Sequence, residues 1–244
     1  MVILSFGSYV AVPVSIVGKV LGIPLVTHEQ TRSPGLANRF LSRIADRVCV
    51  AWRETSGYFS SKKTIYTGNP LRRELFSVQK KYVLQLDKPL IYITGGNLGA
   101  HALNSAVAQV LSKLLQDYCL IHQCGNSSVY NDYDRLLTLK SSLSEQMQNR
   151  YLPLPFVDPE HIGWVLDRAE LVVSRAGANS VTELVALKKV SLLIPLPLSG
   201  QGEQERNAEY LKSRQAAEIL DQKNLNPQAL LISIRKLSDK KNFY

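Results

Sequence analysis

Apolar residues along this 244-residue chain fall into short runs cut by glycine, proline and polar turns, and their period changes from run to run. Val2 to Phe6 reads as a strand, Pro13 to Leu21 as a helix and Leu25 to His28 as a second strand, because Gly7, Gly18, Gly22 and Pro24 divide the stretch. Residues 2–26 carry one charge, Lys19, and are long enough to raise the question of a membrane span. The punctuation favours an α/β rhythm instead. Ser33 and Pro34 offer a cap and a first helical position for a helix running to about Ile44. Arg47 to Trp52 and Thr64 to Thr67 give two more strands, and Gly68-Asn69-Pro70 then breaks the chain ahead of a charged run to Lys88. A domain boundary is placed here, dividing residues 1–75 from 76–244.

Beyond the boundary the order is regular. Strand Leu90–Thr94, turn Gly95–Gly99, a helix from about His101 to Gln116, strand Cys119–Gln123 and a helix within Tyr130–Gln148 are followed by strand Tyr151–Val157 and helix Pro159–Arg168. The most informative stretch comes next. Leu171-Val172-Val173 leads into the small-residue turn Arg175-Ala176-Gly177-Ala178, a helical pattern from Asn179, the apolar run Ser191–Leu196 and the polar loop Pro197–Gln204. That is a β-α-β unit with parallel strands and a right-handed crossover. With a terminal strand Ala217–Leu220 and helix Pro227–Leu237, the region is a doubly wound α/β domain that binds ligands at the carboxyl ends of its strands. The first region differs. About four strands in so short a stretch cannot make a covered parallel sheet, so the sequence is expected to begin inside a fold.

Composition narrows the function. A hydrophobic content of 45% supports a real core, and three scattered cysteines without a C-x-x-C fit a reducing compartment and exclude a zinc ribbon. His28, His101, His122 and His161 show no i, i+4 pairing, so a zinc site is not expected. The formal charge of +9 and pI near 9.5 call for an anionic partner. Basic residues come as scattered pairs such as Lys62-Lys63 and Arg72-Arg73, with no aromatic-interleaved stripe, which disfavours nucleic acid. An anionic bilayer or a diphosphate substrate accounts for the charge, as does a merely solvated basic face.

Several residues carry candidate chemistry. Gly95-Gly96-Asn97-Leu98-Gly99 joins a strand to a helix and can present backbone N–H groups to a phosphate, although it is neither a dinucleotide fingerprint nor a Walker loop and also suits a plain tight turn. Glu183 has two acceptor oxygens for a ribose, but Ser180-Val181-Thr182-Glu183 equally spells a capping box. Arg175 either neutralises a diphosphate or joins a surface ion pair. Asp132-Tyr133-Asp134 matches a D-x-D, yet it opens a helix, where acids suit the dipole, so no metal is assigned. His28-Glu29 at a strand end is an acid/base candidate or a hydrogen-bonded structural pair, and His122 in an apolar strand reads as core.

Taken in order, Gly7-Ser8-Tyr9-Val10-Ala11-Val12-Pro13, Leu21-Gly22-Ile23-Pro24, His28-Glu29-Gln30, Pro34-Gly35-Leu36-Ala37-Asn38-Arg39, Gly68-Asn69-Pro70-Leu71-Arg72, Gly95-Gly96-Asn97-Leu98-Gly99-Ala100 and Arg175-Ala176-Gly177-Ala178 resemble the MurG family. The resemblance implies a GT-B fold of two Rossmann-like doubly wound domains, the first incomplete. It implies transfer of N-acetylglucosamine from UDP-N-acetylglucosamine to undecaprenyl-diphosphate-linked muramyl-pentapeptide, with inversion and without cofactor or catalytic metal, at the cytoplasmic face of the membrane. Donor binding would involve Thr31, Arg72 and Asn97, the backbone of Val157, then Arg175, Ala178, Asn179, Ser180, Val181, Thr182 and Glu183, with Gln204 at the sugar. Gly7, Ser8 and Tyr9 would meet the acceptor, and His28 and Glu29 are the base candidates. Thr31 stands where the family usually has Asn, Asn97 where it has Ser, and Ser8 where it has Gly. The family's first glycine-rich loop would lie before Met1 and its last helical segment beyond Tyr244. A donor-binding subunit completed by another polypeptide, a UDP-sugar epimerase and a nucleic-acid-binding protein are the alternatives.

Overall fold

In the computed structural model, which describes residues 1–79, 81–197, 199 and 202–239, the apolar runs form two parallel sheets, one in each of the units Met1–Pro70 and Leu71–Tyr244. The first unit runs β1 (Ile3–Ser5), α1 (Ala11–Val20), β2 (Leu25–Glu29), α2 (Leu36–Ile44), β3 (Arg47–Val50), a 3-10 stretch Arg53–Tyr58 and β4 (Thr64–Tyr66). Its strands lie side by side in chain order. Leu25, Leu41, Ala45, Val48 and Val50 form its core, with Ile3, Ala11 and Val12 packed against them. No described helix is long and apolar enough to cross a membrane, and residues 2–26 form strand, helix and strand as the punctuation requires.

Ser33 and Pro34 do not start α2. The helix begins at Leu36 with Gly35 as a cap that has no side-chain bond. Glu29 explains the shift: its Oε2 accepts from Gly35 N–H at 3.1 Å and from Asn38 Nδ2 at 2.9 Å, so a carboxylate from the neighbouring strand end holds the first turn.

The second unit contains β5 (Leu90–Thr94), α3 (His101–Asp117), β6 (Cys119–Gln123), α4 (Asp132–Ser141), α5 (Glu145–Asn149), β7 (Tyr151–Leu154) and α6 (Pro159–Arg168). It continues with β8 (Ala169–Ser174), α7 (Ala178–Ala186), β9 (Ser191–Leu193), α8 (Glu203–Lys212), β10 (Ala217–Ile219) and α9 (Pro227–Asp239). The sheet order β10-β9-β8-β5-β6-β7 is that of the doubly wound dinucleotide fold, with the order reversing between β5 and β8. Helices cover both faces, which is why β5, β6 and β8 are nearly continuous apolar runs. Two glycines fix the approach of loops to this frame. A Cβ on Gly99, whose φ is 75°, would lie 2.0 Å from the Cys124 carbonyl oxygen. One on Gly163 would lie 2.1 Å from the Ser77 carbonyl oxygen, so the 3-10 turn Arg73–Phe76 rests directly on α6.

Three elements depart from the sequence expectation. The single helix expected within Tyr130–Gln148 is two, α4 and α5. Strand β7 stops at Leu154 rather than Val157, where Pro155 has no N–H to donate. Helix α8 is not anticipated by the pattern, because its ten residues bury only Asn207, Ala208 and Leu211 and show little apolar period. Part of the loop before it, residues 198, 200 and 201, lies outside the described residues.

Candidate functional site

Where the strand order reverses, the loops leaving β5 and β8 diverge and open a crevice at the carboxyl ends of the strands. A cavity of ≈ 90 Å³ occupies it. Thr94, Gly96 and Asn97 line it from β5, Phe156 and Val157 from the loop after β7, Ser174 from the end of β8, and Ser180 and Glu183 from α7. Arg72 closes one side. Neither α3 nor α7 has a side-chain cap, since Ala100 and Gly177 occupy the cap positions. A helix start without a side-chain cap suits an anion, because the positive end of the dipole lies behind it.

One buried glutamine ties the walls together. Gln123 Oε1 accepts from the Val157 N–H and from the Tyr92 hydroxyl, both at 3.1 Å, and its Nε2 donates to the Gly96 carbonyl at 3.0 Å. The loops after β5 and β7 are thus held by one side chain, and the Val157 N–H is already used. Burial pushes the Tyr92 phenol well above its usual range, so it stays a donor. Opposite, Arg72 NH2 donates to Glu183 Oε1 at 3.0 Å, with the arginine side chain more exposed than the carboxylate.

The capping-box reading of Glu183 does not hold. Helix α7 starts at Ala178 with Gly177 as its cap, which places Glu183 in the second turn, bonded to Arg72 rather than to backbone donors. Of the expected donor residues, Arg72, Asn97, Val157, Ser180 and Glu183 converge on the cavity. Ala178 and Asn179 form the first turn of α7, Val181 is fully buried, and the Thr182 hydroxyl donates to the Ala178 carbonyl at 2.7 Å. Arg175 does not line the cavity: its guanidinium donates to the carbonyl of Ile194 at 3.0 Å and to Gln222 Oε1 at 2.6 Å, strapping β9 to the turn at Gln222–Asn224. Gln204 Oε1 accepts from the Leu196 N–H at 2.9 Å. Gln123, Tyr92 and Phe156 are missed by the sequence reading. A glutamine ending an otherwise apolar strand is the available signal.

In the first unit His28 and Glu29 are both buried. Glu29 receives four donors, the N–H and hydroxyl of Thr31 on Oε1 and Gly35 N–H and Asn38 Nδ2 on Oε2. Thr31 is accordingly turned inward, with its hydroxyl also 2.7 Å from the Ser33 carbonyl. His28 Nε2 sits 3.0 Å from the Gly68 carbonyl, so that nitrogen carries the proton. Nδ1 then holds the lone pair, and it is buried without a partner. Gly7, Ser8 and the exposed Tyr9 form the turn before α1. Ser8 has φ 75°, a left-handed value that suits the glycine usual at this place in the resembling family.

The D-x-D is engaged elsewhere. Asp132 is buried and accepts from His101 Nδ1 at 3.0 Å, Asn104 Nδ2 at 2.8 Å and Arg135 NH2 at 3.1 Å. The same Asn104 accepts through Oδ1 from His122 Nε2 at 3.0 Å, while His122 Nδ1 faces the Tyr151 hydroxyl at 3.1 Å. His122 is core, and burial lowers its pKa from 6.5 to about 4.

Comparison with known proteins agrees with this geometry. The model of the glycosyltransferase family 28 C-terminal domain matches residues 90–244, and that of the N-terminal domain of the same family matches residues 1–50. The chain is 35% identical, over its whole length and 67% of the relative, to the UDP-N-acetylglucosamine--N-acetylmuramyl-(pentapeptide) pyrophosphoryl-undecaprenol N-acetylglucosamine transferase of Clostridium kluyveri. A crystal structure of Acinetobacter baumannii MurG superposes with a TM-score of 0.69 at 30% identity, covering 98% of this chain and 68% of that one. A putative UDP-N-acetylglucosamine 2-epimerase from Listeria monocytogenes, at TM-score 0.68 and 13% identity over 99% of this chain and 66% of that one, shares the fold. The chain thus spans about two thirds of the length of the relatives it matches, between 65% and 67% for the Clostridium and Lachnospira sequences.

Proposed function

The chain belongs to glycosyltransferase family 28 and within it to the MurG transferases, and from that premise we propose that it moves N-acetylglucosamine from UDP-N-acetylglucosamine onto lipid-linked muramyl-pentapeptide, the lipid I to lipid II step of peptidoglycan synthesis. The observation that carries the reading is the convergence, at one switch-point crevice, of the Gly96-Asn97 turn, the uncapped start of α7 and the Arg72–Glu183 pair. Arg72, Asn97 and the helix N-termini would stabilise the diphosphate as it leaves. Glu183 would accept the ribose hydroxyls. At the uracil, Val157 offers its carbonyl, because Gln123 holds its N–H. Arg175 and Gln204 both hold the segment that follows β9, Arg175 through the Ile194 carbonyl and Gln204 through the Leu196 N–H.

On the acceptor side, Gly7, Ser8 and Tyr9 would meet the lipid-linked diphosphate, and the attacking hydroxyl must lose a proton. His28 is assigned that proton, since Nδ1 has a lone pair to spare. Glu29, with both oxygens occupied, positions the turn from His28 to Gly35 and the neighbouring Thr31. Titration calorimetry in the presence of a chelator is expected to show UDP and UDP-N-acetylglucosamine binding. A radiolabelled transfer assay with a lipid-linked muramyl acceptor tests the reaction. Absence of donor binding would overturn the reading; product formed without acceptor would assign epimerase chemistry.

The same reading includes peripheral attachment to the cytoplasmic face of an anionic membrane, supported by the +9 charge and by exposed Tyr9, Val10, Val14, Val17 and Val20 in and before α1. Sedimentation with phosphatidylglycerol vesicles is expected to fall as salt rises. Binding that survives high salt and alkaline washing would contradict it.

A further inference from the structure

The second unit holds a larger cavity than the crevice, at the opposite ends of its strands. Helices α7 and α8 pack side by side and both stop there, just ahead of Ser191 and Ala217, the paired first residues of β9 and β10. Each helix closes in the same way. Lys188, with φ 52°, and Gln215, with φ 60°, take left-handed values, and the N–H that follows reaches back to the carbonyl of Leu184 at 2.9 Å or of Leu211 at 3.0 Å. The cavity beside these two turns measures ≈ 380 Å³, against ≈ 90 Å³ for the crevice. Its buried wall is apolar, formed by Leu184 and Leu211, and its exposed wall carries Lys188 and Arg214. The third cation, Lys189, is engaged with backbone: its ammonium donates to the carbonyls of Asp167 at 2.8 Å and Ala169 at 3.1 Å, at the end of α6. Arg214 is ordered differently, with its guanidinium 3.6 Å from the centre of the Tyr210 ring. Among the described residues no carboxylate pairs with Lys188 or Arg214, and Glu209 on the same helix pairs with Lys212 at 3.8 Å.

A cavity of this size, apolar for the most part and with a few placed polar groups, has the make-up of a small-molecule site. We propose that it binds a small amphipathic carboxylate, with the hydrocarbon tail over Leu184 and Leu211 and the head on Arg214 and Lys188. The charges decide the sign of the head. Two cations without acidic partners at the rim of an apolar cavity call for an anion, and a planar guanidinium matches the two oxygens of a carboxylate. The helix ends decide its magnitude. The last carbonyls of α7 and α8 are negative poles, so a singly charged head is preferred to the double charge of a phosphate monoester. This site is separate from the donor crevice, because Leu184 is the one residue that lines both and α7 forms the wall between them.

The test titrates sodium decanoate, kept below micelle formation, into the isotope-labelled 244-residue chain. Amide resonances of Lys188, Lys189, Gln215 and Ala216 are expected to shift, while those of Gly96 and Asn97 stay in place. Calorimetry then reads the two ends of the ligand. Each CH₂ removed from the tail is expected to weaken binding by about fourfold, and decyl phosphate is expected to bind more weakly than decanoate. Arg214→Glu and Lys188→Glu, both at exposed positions, are each expected to weaken decanoate binding by about tenfold or more. Lys113→Glu, on the exposed side of α3, makes the same change in net charge and is expected to leave binding unchanged. Absence of binding, shifts confined to other parts of the chain, or affinity that ignores both charge reversals would overturn the proposal. Tighter binding of decyl phosphate would overturn the assignment of a carboxylate.

Discussion

Acidification from pH 7 to pH 4 is expected to cost the second unit on the order of 3 kcal/mol through His122 alone. The imidazole is fully buried between Asn104 and Tyr151, and burial holds its pKa at about 4 against 6.5 for a solvated imidazole, outweighing the opposing charge of Asp132. Between those two values the unfolded chain binds a proton that the folded chain refuses. Stability therefore falls as pH drops through the window and is fully restored above it. Asp46 and Asp87, whose carboxyls are held below their usual range by Lys19 and Arg150, lose their contributions at lower pH still. The two effects are separable. Urea unfolding at several pH values should show the decline in the native chain, and His122→Gln, which keeps a polar group but cannot titrate, should flatten it. An equal decline in both proteins would remove His122 as the cause of the acid sensitivity.

The legible parts of this molecule are those where one local rule dominates. Strands β5, β6 and β8 are buried on both faces and announce themselves as apolar runs, and the turn at Arg175–Ala178 announces the start of α7. Helix α8 is illegible because it buries one edge only. The positions of functional side chains are partly legible. Arg72, Asn97, Val157, Ser180 and Glu183 do meet in one crevice, although their separation along the chain gives no hint of it without the resemblance. What sequence cannot supply is the direction of a side chain. Arg175 lies next to Ser174 in the crevice wall, yet it points onto the carbonyls ending β9. Glu29 and Thr31 look like a polar loop awaiting a ligand, but they bond to each other. Gln123 is the converse, a residue with no motif whose position at the end of β6 lets it reach two loops at once.

Replacing Glu183 by alanine is expected to weaken UDP-N-acetylglucosamine binding by about 1–3 kcal/mol, roughly 5- to 150-fold, with little change in thermal stability. Little stability is at stake because the bond to Arg72 is a partly exposed ion pair, and pairs of that kind contribute at most about 1 kcal/mol. The affinity effect has two possible origins, since the carboxylate lies in the crevice and also holds Arg72 at 3.0 Å. A ribose contact and a positioning effect on arginine can be told apart by the ligand. If Glu183 accepts the ribose hydroxyls, the loss should vanish with a 2′,3′-dideoxy uridine diphosphate, which has nothing to donate. If it acts only by holding Arg72 at the diphosphate, the loss should persist with that analogue and should disappear in the Arg72→Ala background. Glu183→Gln sharpens the distinction, because it retains one acceptor oxygen while removing the charge that holds the guanidinium. Unchanged affinity in Glu183→Ala would remove the carboxylate from the binding site and leave the crevice without its ribose anchor.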